Sequence, residues 1–322
     1  MSSFGFIIIF TNEHSIRLIM KYIKITFLFI LSILSSSLAL EAQSDSAASN
    51  KSYFKFSGTY LSNFIYNGRQ DSITTPYITP SLGYFDKSGF YVIGSLSYLS
   101  SAKEKRVDLF SFDIGYDFSI SQKLTGSVYA NKSAYNQTST AIQSDVKGSI
   151  GAYFNYDFNF LEFNATTDIS FANKADIGLN MGLLHTINFG EKSNSFSLTP
   201  SVSANFSTLH FYEGYENRKL SRVAILFNPM LASSVSKTTV DNNKITLMDY
   251  EISIPLNYEH ENLGFFINPT FALPQNPIYT TTTTLNKLPN GTTTTFVNNS
   301  TPKSEKTLSN SFFVELGFYI KF

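Results

Sequence analysis

Nucleophilic catalysis needs a hydroxyl or thiol beside a base, and the base is most often histidine. The chain has 322 residues, four histidines and no cysteine. Lacking cysteine, it has no thiol nucleophile, no Cys-ligated zinc site, no disulfide scaffold and no lipid anchor on a cysteine. His14 lies near the start. His185 stands in "LLHTIN", His210 in "LHFYEGY" and His260 in "NYEHENL". Each reads as an interfacial or solvated histidine, and no aspartate is placed beside any of them. No phosphate-binding loop, dinucleotide fingerprint or histidine-cluster metal site is present, so no cofactor and no metal is expected. Lys plus Arg and Asp plus Glu are both 24, so bulk charge gives no reason to expect nucleic acid.

The carboxylates carry more information. Asp113, Asp117, Glu162, Asp168, Asp249, Glu251 and Glu315 all occupy the polar places of segments whose other places are apolar. Lys147 is one of few cations in the same pattern, with Lys55 and Lys321. Asp145 and Asp176 extend the acidic set. Facing a common space, such groups form an acid-lined lumen, because like charges focus oppositely charged ions. The blander reading is that they hydrate the space and pair with one another, for example Lys147 with Asp168.

The elements that would position them are strands. In "LFSFDIGYDFSI", Phe110, Phe112, Ile114, Tyr116, Phe118 and Ile120 share one face, and Asp113, Gly115 and Asp117 the other. The same two-residue period runs from Tyr53 to Phe322, without a sustained period of 3.6. The segments are about 10 to 14 residues long, near the ~9–11 a tilted strand needs to cross a bilayer. Short connections at 86–88, 121–122, 157–159, 190–194 and 259–262 alternate with longer ones at 67–74, 100–106, 131–144, 172–176, 209–244 and 275–307. Short turns on one side and long loops on the other are the pattern of membrane barrels. The expected fold is all-β, a transmembrane antiparallel up-and-down barrel of twelve strands. Fourteen result if 209–244 contributes a hairpin. The Thr-rich run after 279 reads as a strand extension with a turn at Pro289-Asn290-Gly291. The patterns "ITPSL", "LTPSV" and "INPTF" put Pro80, Pro200 and Pro269 on the apolar face, at bulges or at the membrane boundary.

The expected organisation is an over-extended start at 1–19, a signal peptide at 20–42, a short segment at 43–52 and the barrel at 53–322. Lys21 and Lys24, the apolar run Ile25 to Leu34 and the small residues Ser35 to Ala42 follow the order of a secretory signal, with cleavage expected between Ala42 and Gln43.

The alternation, this leader and the terminal strand "NSFFVELGFYIKF" resemble a Gram-negative outer-membrane β-barrel. "DYEISIPLNYE" and "FFINPTFALPQNP", with the Ala-Gln junction, are similar to uncharacterised barrels of the Bacteroidota. The resemblance implies the cell outer membrane as location and its lipid as surroundings. It also implies the barrel-assembly machinery as a partner, reading Leu316, Phe318, Ile320 and Phe322. Phospholipase and deacylase barrels carry a His-x-Ser pattern, which this chain lacks at every histidine. The expected function is therefore porin-like: a small passive pore for ions or small solutes, not an enzyme. The alternative is a non-conducting structural or adhesion barrel working through loops 209–244 and 275–307. Twelve strands about 4.8 Å apart and tilted about 40° give a backbone diameter of about 24 Å, which inward side chains reduce to about 10 Å.

Overall fold

The computed structural model describes residues 51–322 apart from 71–73, 103, 140, 192–193, 214–232, 241–243, 288–289 and 301–308. The expected start, signal peptide, Ala42/Gln43 junction and nearly all of the segment 43–52 lie outside the described residues.

Twelve antiparallel strands form one closed wall. The first four are Tyr53–Leu61, Tyr77–Phe85, Phe90–Ser100 and Lys105–Ser119. The fifth to seventh are Leu124–Tyr135, Gly148–Asp157 and Glu162–Phe171. The eighth runs as Ala175–Leu184 and Ile187–Glu191, and the ninth as Asn194–Leu198 and Ser201–Ser207. The tenth runs as Thr246–Ser253 and Leu256–His260. Leu263–Pro274 and Ser311–Lys321 complete the set. Each strand pairs with its neighbour in sequence, and the first pairs with the twelfth, Lys55 opposite Lys321 and Leu61 opposite Glu315. Phe54 and Phe322 exchange backbone hydrogen bonds of 2.8 and 2.9 Å at the end of this closure. Closure matters because it leaves no sheet edge unpaired.

The burial pattern is inverted relative to a water-soluble protein. Phe110 is 56% exposed, Phe112 and Leu82 52%, and Val202 50%, all on the outward parity. Buried positions include Arg69, Asp108, Asp176 and Asp249. A continuous exposed apolar face with polar groups inside is what a lipid-facing wall requires. Among the described residues no helix is long and apolar enough to cross a membrane.

The strand count is twelve. Ser233–Val240 does not enter the wall; it pairs with Thr280–Lys287, which pairs with Thr293–Ser300, in a separate three-stranded sheet. The Thr-rich run is thus a hairpin of that sheet rather than an extension of the eleventh strand.

Two prolines of the sequence motif lie elsewhere than expected. Pro200 and Pro269 sit mid-wall, joined by Pro255, which the motif missed. His185 N–H donates to Pro200 O, Thr199 N–H to Pro255 O and Ile254 N–H to Pro269 O, at 3.1, 2.9 and 3.3 Å. The three form one oblique row across the eighth to eleventh strands. Each proline removes a ladder donor while its own carbonyl still accepts, so the pairing is interrupted there and half of each ladder step is kept. The bulges fall at other residues. The register of the third and fourth strands shifts at Ser97/Tyr98, leaving Asp108 without an opposite residue. That of the ninth and tenth shifts at Asn205/Phe206, leaving Met248 so.

Candidate functional site: the lumen and its loop cap

The connections at one end of the barrel are all short; the other end carries the longer ones, together with the brief 172–174 connection between the seventh and eighth strands. At the loop end, segments between the strands fold together over an apolar cluster of Ile142, Val146, Leu209, Phe211, Met248 and Ile278. Tyr66 packs on it, its ring edge-on to Phe211 with centroids 5.0 Å apart.

Three charged side chains tie these loops to the wall. The first is Arg69, in the hairpin of Ile65–Tyr66 and Arg69–Gln70. The hairpin turns on Asn67 and Gly68, both at positive φ (51° and 69°), the Asn-Gly chemistry of a tight two-residue turn. Gly68 is required for space as well: a Cβ there would lie 2.8 Å from Asp249 Cβ and 3.0 Å from Pro274 Cβ. Arg69 Nη1 donates to the carbonyls of Asn67 and Met248 at 2.6 and 2.5 Å. Its Nη2 donates to those of Gln275 and Asn276 at 2.6 and 2.7 Å. A loop rooted between the first two strands is thereby clamped to the tops of the tenth and eleventh.

The second anchor is Asp108, 1% exposed. It accepts from Tyr77 Oη at 2.5 Å, from Ser139 Oγ at 2.7 Å and from Arg106 Nε at 2.7 Å. Ser139 belongs to the loop after the fifth strand. Strict alternation puts Asp108 on the lipid side with Phe110, and the bulge turns it inward. The third anchor is Asp176, which caps a helical turn beginning at His210. It accepts from Thr208 Oγ1, His210 N–H and Phe211 N–H, each at 2.7 Å. His210 Nδ1 stands 3.2 Å from Asp176 Oδ1 and 3.0 Å from Ala175 O. No aspartate neighbours His210 in the sequence, yet the fold brings Asp176, 34 residues away, to it. The pair serves as a cap. Tyr66, in the hairpin, has its hydroxyl pKa raised by burial and then by the negative charge of Asp168 and Asp176.

Below the cap lie the carboxylates read from the sequence. Asp113 accepts from Ser111 Oγ at 2.9 Å and Asn131 Nδ2 at 2.7 Å. Asp168 accepts from Ser170 Oγ at 2.8 Å, and Glu162 from Asn155 Nδ2 at 3.0 Å. Glu251 and Glu315 are half-buried, and Asp117 is exposed nearer the turn end. Asp249 is fully buried, with Asn205, Glu251 and the charge of Arg69 acting on it. It belongs with the cap. Lys147 is exposed at the loop end of the sixth strand and makes no ion pair with Asp168.

The turn half of the lumen is aromatic. Tyr53 stacks on Phe85 at 5.1 Å and Phe85 on Tyr91 at 5.8 Å. Lys55 and Lys321 lie over the Tyr319 ring, 4.3 and 5.2 Å from its centroid, beside Glu259. Tyr91, Tyr129 and Tyr319 lean over Gly115, Gly151 and Gly264 on adjacent strands, where any Cβ would collide with the ring. Among the described residues no group of three His, Asp or Glu could hold a metal ion.

No protein-family model matches the chain, and no curated protein sequence matches it. Similar solved structures include a bacterial polysaccharide outer membrane secretin (8% identity, 85% of this chain and 99% of that one, TM-score 0.33). Another is CdiB from Acinetobacter baumannii (8% identity, 84% of this chain and 60% of that one, TM-score 0.35). A third is Salmonella typhi OmpF in complex with daunomycin (9% identity, 84% and 97%, TM-score 0.28). The likeness is too slight to carry an argument about function. The fold of this chain rests on its own strand pairing.

Proposed function

We propose that the chain is an outer-membrane β-barrel acting as a narrow, cation-favouring pore for ions or small solutes, with the loop end outward and held constricted by its own loops. The acid lining carries this reading. Asp113, Glu162, Asp168, Glu251 and Glu315 take the parity opposite the exposed apolar side chains, the lumen side in this reading, whereas Lys55 and Lys321 of the same parity gather at the turn end around Tyr319. A lumen with such a wall concentrates cations. Residues 316–322 serve the assembly machinery in this reading, and the export leader belongs to the same proposal.

The apolar loop cluster favours a second reading, a non-conducting barrel that presents its loops and the three-stranded sheet to a partner. Single-channel recording on the folded chain separates the two. The expected record is small, infrequent, cation-selective steps in the native chain. Arg69→Ala, which frees the clamp on four carbonyls, should raise conductance or open time several-fold. Asp113→Asn with Asp168→Asn should move the reversal potential toward non-selectivity. Silence from both the native chain and Arg69→Ala would overturn the pore reading and leave the presentation reading.

A further inference from the structure

The outer face of the second to fifth strands is not evenly convex. It holds a concavity of about 580 Å3, within the ~300–1,000 Å3 of small-ligand sites. Pro80 and Gly94 make its floor, and Leu82, Leu96, Phe110 and Phe112 its walls. The floor is low for two reasons. Gly94 has no side chain, and a Cβ there would meet nothing within 4 Å. The strand pairing beside Pro80 is interrupted, since the register between the second and third strands runs from Ile78/Tyr98 to Ser81/Ser95 without the intervening pairs.

Lys132 borders this apolar trough. It pairs with Phe112 across the fourth and fifth strands and shares that residue's outward parity. It lies three residues from the loop end of its strand at Tyr135. Among the described residues no carboxylate forms an ion pair with it. A charged side chain on a lipid-facing wall is costly unless its ammonium reaches the headgroup level and finds an anion there.

We propose that this trough and Lys132 form a binding site for one phosphate-bearing membrane lipid, an acyl chain lying over Gly94 and the phosphate resting on the Lys132 ammonium. Charge complementarity selects the occupant: a protein partner on this face would have to displace bilayer, whereas an anionic lipid is already part of it. The proposal rests on the membrane reading of the barrel.

The test uses the full folded chain in vesicles of phosphatidylcholine containing a minor share of phosphatidylglycerol. The lipid retained after detergent extraction is counted by native mass spectrometry. The native chain should retain phosphatidylglycerol over phosphatidylcholine by about fivefold, the size of one interfacial charge contact. Lys132→Gln should remove that preference. Gly94→Phe, which has open space for its ring, should lower retention of both lipids while the barrel still inserts. Equal retention in the native chain and both variants overturns the site. A native chain that stays out of the vesicles overturns the membrane reading together with it.

Discussion

Asp108 shows how one residue couples wall and cap. Its carboxylate is shielded from solvent and receives Tyr77, Ser139 and Arg106 together. Asp108→Ala would strand two buried donors, Tyr77 Oη and Ser139 Oγ, and leave half-buried Arg106 with Glu104 alone, at a cost of about 3 kcal/mol. The expected outcome is a lower melting temperature of the folded form and faster proteolysis in the loop after the fifth strand, with the wall still closed. Asp108→Asn, which keeps the size and loses the charge, should cost less. Asp86 makes a different case at the turn end. It accepts from Ser88 N–H at 2.9 Å, Ser52 Oγ at 2.8 Å and Tyr84 Oη at 3.0 Å, and its pKa is held well below the usual carboxylate range, chiefly by Ser88. A depressed folded value means the stabilisation is complete above the unfolded pKa of about 3.9 and is lost as pH falls through the folded value. Amide exchange at Gly89, bonded to Asp86 O, should therefore be slower in the native chain than in Asp86→Asn at pH 6. The two should converge in strong acid.

Among the elements, the proline row divides the wall. The fourth to seventh strands pair without a break, whereas the eighth, ninth and tenth are each interrupted beside Pro200, Pro255 or Pro269. Fewer ladder donors lower the local cost of opening. Hydrogen exchange on the protein in micelles should show faster labelling at 185–186, 199 and 254 than at 112–116 and 128–130. Equal protection on both sides would mean that the row is bridged by bonds from outside the ladder. The bulges make the complementary point. Alternation along the strands places almost every side chain on the right face, and it fails at Asp108 and Met248, where one extra residue shifts the register. The only local cue is an aspartate on the apolar parity, followed by Phe110 and Phe112. Met248 gives no cue at all, because an apolar residue fits either face.

For the whole molecule, the exposed apolar belt predicts behaviour in solution. A barrel with Leu82, Phe110 and Phe112 half exposed should need detergent for extraction, and should migrate differently on gels before and after boiling, as a closed wall resists unfolding. Extraction in plain buffer as a monomer would contradict a lipid-facing wall.

Much of this was already present in the order of the residues. Twelve strands, the turn end and loop end, and the parity that sets Asp113, Glu162, Asp168, Glu251 and Glu315 opposite the exposed apolar side chains all follow from a two-residue period and turn lengths, because side-chain direction in a strand is a local property. The tertiary structure decided what depends on residues far apart meeting. It joined Arg69 to Met248 and Gln275, Asp176 to His210, and Asp108 to Ser139. It also made a separate sheet of Ser233–Val240 and the Thr-rich hairpin. Loops have no period to read, and a clamp formed between residues some 180 to 200 positions apart exists only once the wall has closed and brought them to the same mouth.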